Sequence, residues 1–257
     1  MNTNSTARIA VVTGGNRGLG RSATLALAAD GVDIVLTFRS HEEEAKEVAM
    51  EIEALGRTAV VLRLDTTQTE SFPAFVDALR GTLSETWGRD SFDILVNNAG
   101  VAGMTPLGGT DVDSVRRLLE VHFVGVVMLT QVLAPHLVDR GRIINTSTGL
   151  ARFTGEFAFS VYASAKGAVE VYTRYLAKEL GPRRITVNSV APGPSATDFA
   201  GGVLRDDEQV RSHLSGLIAM GGVGDPDDIG SAVAAIASER MGWVTGQRIE
   251  ASGGMLL

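Results

Sequence analysis

Arg8-Ile9-Ala10-Val11-Val12-Thr13 runs straight into Gly14-Gly15-Asn16-Arg17-Gly18-Leu19-Gly20, and a stretch of helical period follows. A short Val/Ile run without polar alternation is what a strand covered on both faces requires. Glycines directly after such a strand let the backbone turn tightly and approach a diphosphate, whose charge the next helix N-terminus stabilises. The spacing is G-x-x-x-G-x-G, not the G-x-G-x-x-G of the general dinucleotide fingerprint. With 30 glycines in 257 residues, the loop draws its meaning from its place between strand and helix.

Outward from this unit the same alternation repeats. Runs at 8–13, 33–38, 58–64, 93–96, 142–147 and 185–190 read as strands, with 247–250 as a last one. Segments of helical period at 18–29, 42–55, 69–86, 111–138 and 158–180 lie between them, and Asp225-Pro226 opens another at 226–238 with a cap and a first-turn proline. Repeated strand–helix alternation means βαβ units and a parallel sheet with helices on both faces. The expected fold is α/β: a single-domain, Rossmann-type, doubly wound parallel sheet of about seven strands over residues 1–257. Residues 192–224, punctuated by Gly201-Gly202, Gly216 and Gly221-Gly222, read as a mobile substrate lid.

Composition narrows the function. A formal charge of −7 disfavours a nucleic-acid partner, which needs a basic face. Cysteine is absent, so disulfides, thiolate metal sites and a cysteine nucleophile are excluded, and no metal is expected. The polar start Met1-Asn2-Thr3-Asn4-Ser5-Thr6 has no apolar signal core, and no apolar run reaches the roughly 18 residues of a membrane span. A cytoplasmic protein with no membrane partner is expected.

The second strand ends Leu36-Thr37-Phe38-Arg39-Ser40. A carboxylate there would hold the 2′-hydroxyl of NAD; instead Arg39 stands at that end, and Arg17 in the glycine loop adds a second positive charge. A planar guanidinium donates bidentately to phosphate, so NADP(H) is expected over NAD(H).

Tyr162-Ala163-Ser164-Ala165-Lys166 sets a phenol and an ammonium four residues apart, on one helix face. The chain has only three tyrosines and three lysines, so this pairing is a sharper signal than the glycine loop. An ammonium about 4 Å away supplies about the 4 kcal/mol needed to bring a phenol from about 10 to about 7. Lys166 is therefore expected to make Tyr162 a general acid/base for a carbonyl oxygen. Ser147-Thr148, ending the fifth strand, offers hydroxyls to polarise the same atom.

In this order the motifs resemble those of the short-chain dehydrogenase/reductase family, and the resemblance covers essentially the whole chain. Thr13–Gly20 resembles its glycine loop, Asp65-Thr66 the acidic position that contacts adenine, and Asn97-Asn98-Ala99-Gly100 its N-N-A-G motif. Tyr162 and Lys166 match the catalytic pair, with Lys166 also implied to hold the nicotinamide ribose. Asn188 with Pro192-Gly193 matches the motif bordering the nicotinamide; Ser195 lies beside it, and Thr197 is the implied diphosphate contact.

Two positions depart from the family pattern. Ile144-Asn145-Thr146-Ser147-Thr148 puts Thr148 where the family has its catalytic serine, with Ser147 as the alternative. Val121-His122-Phe123 puts His122 where the family has an asparagine holding a proton-relay water; a histidine there would charge as pH falls through 6–7. The resemblance implies hydride transfer between NADP(H) and a ketone or secondary alcohol, in a homotetramer using the apolar end Gly253–Leu257. The alternative is a non-catalytic NADP(H) sensor of the same fold. The expected substrate lining includes Leu150, Phe153, Phe157, Phe199 and Leu204.

Overall fold

The computed structural model describes residues 7–155 and 158–257; the expected lining residue Phe157 lies outside the described residues. Seven strands form one sheet: β1 (Ile9–Val12), β2 (Asp33–Phe38), β3 (Ala59–Arg63), β4 (Phe92–Asn97), β5 (Leu137–Thr146), β6 (Thr186–Pro192) and β7 (Arg248–Ala251). All pair in parallel, in the order β3-β2-β1-β4-β5-β6-β7. The order reverses between β1 and β4, so the carboxyl ends of these strands open the crevice where such sheets bind ligands.

Successive residues of β1 feed opposite cores. Ala10 and Val12 pack under α1 (Gly18–Ala29), α2 (Glu42–Ala54) and the late helix Pro226–Ala237, while Ile9 and Val11 face α3 (Phe72–Trp87) and the helices before and after β5. That alternation is the pleat at work. Phe72 and Phe92 are fully buried on the second side, each contributing roughly 1.5–3 kcal/mol by leaving water.

Three expectations about elements are corrected. The helix expected over 111–138 is three pieces: α4 (Val112–Leu119), a π-helical turn Glu120–Val124 and α5 (Gly125–Leu133), followed by the 3-10 turn Ala134–His136. Asp111 caps its start by accepting from Ser114 N at 2.7 Å. Pro135 lacks the N–H a continuing helix needs, and from Leu137 the chain already belongs to β5, ahead of the expected start at 142. Val112–His136 contains an 18-residue window of mean hydropathy 1.7, enough by length and composition alone to span a membrane. Here Leu118, Leu129 and Leu133 are buried against the rest of the protein, as in a core helix.

The sixth long helix, α6, runs Ser160–Leu180. Residues 192–224 hold more regular structure than expected, with a 3-10 turn Phe199–Gly202, α7 (Val203–Asp206) and α8 (Glu208–Ser215). Asp207 caps α8 through Gln209 N and Val210 N. Ala219 N and Met220 N donate to Gly254 O and Gly253 O, which ties the end of this segment to the C-terminal strand of chain. The last helix, α9 (Pro226–Ala237), has the expected Asp225 cap, completed by Asp228 into a capping box.

Candidate active site

The glycine loop is shaped by close approach. Gly14 and Gly18 have φ of +63° and +54°, and a Cβ on Gly20 would lie 2.0 Å from Gly14 O. Only glycine fits such a crossing. Arg17, at the N-cap of α1, makes no side-chain cap, and the first turn of α1 carries no acidic residue. The N–H groups that a helix start leaves open therefore face the loop without an internal partner, which suits a diphosphate. Leu19 is half-buried, while Arg17 and Arg39 are exposed.

Around the loop, buried polar groups fix the strand ends. Thr13 Oγ1 accepts from Asn98 N at 2.9 Å and Ala99 N at 3.0 Å, and Asn98 Nδ2 donates to Thr13 O and Gly14 O. Gly100 borders the His122 ring. Asp65 Oδ1 accepts from Thr67 N and Thr67 Oγ1, and Thr66 O sits where a Cβ on Gly125 would intrude at 2.3 Å. Asn97 donates to Asn145 Oδ1 at 2.8 Å across the β4–β5 register, and Asn145 donates on to Thr173. Beyond β6, Gly193 packs on Ser252, Ser195 Oγ donates to Gly193 O, and Thr197 lies against Gly18. Thr13, Gly14, Asn98 and Ala99 thus meet at the carboxyl ends of β1 and β4, with Thr197 brought against Gly18 from beyond β6.

At its centre Tyr162 and Lys166 are both buried on α6. Burial pushes the Tyr162 phenol up to about 12, prevailing over the neighbouring Thr148 side chain, which acts to lower it. Lys166 is drawn down to about 8 by burial, and its Nζ donates to Thr146 O at 2.6 Å. Lys166 was expected to bring the tyrosine down toward 7; instead burial holds the phenol above its ordinary value, with the ammonium donating to Thr146 O.

The two hydroxyls after β5 separate. Thr148 caps the 3-10 turn Gly149–Ala151, its Oγ1 accepting from Leu150 N at 3.3 Å, and it also reaches Tyr162. Ser147 instead donates to Glu170 Oε1 at 2.5 Å in a part-buried bond.

His122 is wholly buried in the π-helical turn, its ring edge-on to Tyr162 at 4.9 Å. Its Nε2 lies 2.8 Å from Val101 O, which makes that nitrogen the donor, and Nδ1 has no hydrogen-bond partner among the described residues. Burial, with the charge of Lys166 second, drives its pKa to about 3. The expectation that it charges near pH 6–7 is therefore overturned.

Several residues at this site escape any local pattern. Glu170 also accepts from Arg248 Nε at 2.7 Å; Arg248 reaches Thr148 O and Glu250, and Arg152 grips Glu250 with two nitrogens at 2.6 and 2.9 Å. These partners lie up to 100 positions apart, so spacing gives no sign of them. Glu44, from α2, accepts from Asn16 Nδ2 at 3.0 Å, which brings a carboxylate to the glycine loop although β2 ends without one.

Comparison with known proteins agrees with this geometry. A family profile described as enoyl-(acyl carrier protein) reductase matches residues 14–256. 3beta-hydroxysteroid dehydrogenase 1 of Eggerthella lenta is 34% identical over 250 residues, 96% of this chain and 93% of that protein. The promiscuous reductase LugOII, which catalyses keto-reduction at C1 during lugdunomycin biosynthesis, has a TM-score of 0.92 at 35% identity, covering 98% of this chain and 99% of that one. The angucycline C-6 ketoreductase LanV, solved with bound NADP, has a TM-score of 0.91 at 35% identity, covering 97% and 95%. A parallel sheet with its glycine loop after β1, its tyrosine and lysine on α6 and relatives of matching length leaves one assignment: the chain belongs to the short-chain dehydrogenase/reductase family of oxidoreductases.

Proposed function

We propose that the protein is an NADP(H)-dependent ketoreductase, with Tyr162 as acid and Thr148 as the group that orients the carbonyl oxygen. The observation that carries this is the shared burial of Tyr162, Lys166 and Thr148, with the phenol and the ammonium one helical turn apart on α6 and Thr148 beside the phenol. Thr148 Oγ1 accepts from Leu150 N, which leaves its own proton free to turn toward the phenol or a substrate oxygen. A phenol held near 12 stays protonated at neutral pH, the form that donates to a developing alkoxide, so reduction is the favoured direction. Lys166, pinned by Thr146 O, supplies positive charge beside the phenol as it gives up its proton. Solvent then restores the phenol. His122 stays neutral and serves as a wall of the site.

The residues fit a dinucleotide: the Gly14–Gly20 crossing leaves room for backbone approach, and α1 starts uncapped. Gly14, Asn16, Gly18, Leu19 and Gly20 would hold the diphosphate with Thr197; Asp65 and Thr66 would meet the adenine. Asn98, Ala99, Gly100, Pro192, Gly193 and Ser195 would border the nicotinamide, and Arg17 and Arg39 would take the 2′-phosphate. When bound, the nicotinamide supplies the hydride that the carbonyl carbon receives. LanV and a blue fluorescent protein from a metagenomic library (32% identical, TM-score 0.86) were solved with NADP or NADPH, which supports the cofactor choice. Residues 192–224 act as the substrate lid. We further propose a cytoplasmic homotetramer, in which Met220 and Leu257, 85% and 96% exposed beside the C-terminal glycines, are covered by a neighbouring copy.

Incubation of the purified protein with NADPH and a panel of carbonyls tests the reading by loss of NADPH absorbance. Tight NADPH binding without turnover of any carbonyl would favour the sensor alternative.

A further inference from the structure

Two aromatic side chains, Phe159 and Phe199, flank the ring of Tyr162. The Tyr162 ring meets Phe159 at 6.0 Å with planes 64° apart, and Phe199 at 5.8 Å with planes 50° apart. Phe199 comes from the segment after β6 and remains 40% exposed. Its place is fixed from behind, since Phe199 N donates to Thr197 Oγ1 at 3.2 Å and Thr197 rests against Gly18 of the glycine loop. Ala200, Gly201 and Gly202, all with φ between 55° and 80°, then fold the chain back so that Arg205 pairs with Asp198 and Asp206. Both rings stand tilted to the Tyr162 ring, and Phe199 is partly open to solvent. A flat π-system laid against such rings makes face and edge contacts that a saturated chain cannot make.

Charge selects further. Residues 192–224 carry Asp198, Asp206, Asp207 and Glu208 against Arg205 and Arg211. Arg205 is already held by two aspartates, and Arg152, stacked on Phe153 at 5.1 Å, is tied to Glu250. A substrate delivered on a phosphate arm by an acidic carrier protein would meet like charge at the entrance. We infer that the substrate is a free, neutral, flat ring-bearing ketone, clasped between Phe199 and Phe159 with its carbonyl at Tyr162 and Thr148. This inference rests on the ketoreductase reading above.

Its test compares kcat/KM with NADPH for 1-tetralone, for 2-decanone of equal carbon count and for an acetoacetyl thioester carried on acyl carrier protein. The fused-ring ketone is expected to lead each of the others by about tenfold, the scale of one or two aromatic contacts. Phe199→Ala should erase most of that lead, chiefly through KM, and Phe199→Tyr, which keeps the ring, should retain it. In parallel, 2-naphthol, which cannot be reduced, should raise the melting temperature of the NADPH-loaded protein, and should fail to do so with Phe199→Ala. Equal or better kcat/KM for the linear ketone or the carrier thioester, or a preference that survives Phe199→Ala, overturns the inference. If no carbonyl is reduced while 2-naphthol still binds through Phe199, the ring site stands and the ketoreductase reading falls. If 2-naphthol does not bind, the ring site falls.

Discussion

The side chain of Thr148 lies beside the phenol of Tyr162, whereas Ser147, one residue earlier, donates to Glu170. Neighbouring residues on an extended segment face opposite sides, so only one of two consecutive hydroxyls can serve the site. Thr148→Val should lower kcat by about 10²–10³, the usual loss when an oxyanion-type donor is removed. Ser147→Ala should leave kcat within a few-fold and instead lower stability by about 1–2 kcal/mol, because a part-buried hydrogen bond to the Glu170 carboxylate is lost. Steady-state kinetics and urea unfolding on both variants check the ranking; the reverse ranking would move the role to Ser147.

Tyr162→Phe is expected to abolish reduction while leaving the NADPH dissociation constant nearly unchanged, because the ring stays and only the proton donor goes. Fluorescence titration and a turnover assay on the same preparation separate the two effects. Near-parental kcat would be inconsistent with the acid assigned to Tyr162.

Lys166 gives activity and stability opposite dependences on pH. Its folded-state pKa is about 8, below the ordinary value of 10.5, because burial penalises the ammonium. Below pH 8 both folded and unfolded chains carry the charge and the folded state bears the full cost; the cost fades as pH rises from about 8 to 10.5. The melting temperature of Lys166→Met minus that of the parent should therefore shrink across this window. Reductive kcat in the parent should fall over the same pH rise as the ammonium is lost, since Tyr162, near 12, does not titrate there. A rate that stays flat through pH 9 would remove the charge of Lys166 from the mechanism.

His122 is neutral at every pH above about 4, given its value near 3. His122→Asn should leave the shape of the pH–rate profile unchanged between pH 5.5 and 8, with any loss a uniform one from the missing ring edge against Tyr162. An acid limb near pH 6.5 in the parent that disappears in the variant would restore a titrating role.

Cofactor choice turns on exposed charges at the loop. Arg39→Asp should reverse the preference from NADPH to NADH, replacing a phosphate partner by a group that repels one. Glu44→Gln should tighten NADPH by a few-fold and leave NADH nearly unaffected, because the Glu44 carboxylate lies beside Asn16. Gly20→Ala should abolish binding of either cofactor, since its Cβ would collide with Gly14 O, while Gly81→Ala, with open space inside α3, should raise stability by about 1 kcal/mol. Equal affinity of the parent for NADPH and NADH would overturn the assignment.

The alternation of apolar strands and helical segments, by itself, determined the parallel sheet, because short Val/Ile runs and amphipathic stretches each have one way to be buried. Glycine at 14, 18 and 20 and the Tyr162–Lys166 spacing were legible for the same reason, being set by local backbone geometry and one turn of helix. The break in the long apolar helix was not, since the π-helical turn at Glu120–Val124 adjoins Gly125, which meets Thr66 O from a distant loop. Nor could spacing tell Thr148 from Ser147, whose choice depends on Glu170 and on Arg248, brought in by β7. The protonation states of Tyr162, Lys166 and His122 were decided last and by tertiary structure alone. Burial sets them, and burial belongs to the assembled fold, where the cost of desolvating a charge outweighs the partner that sequence places beside it.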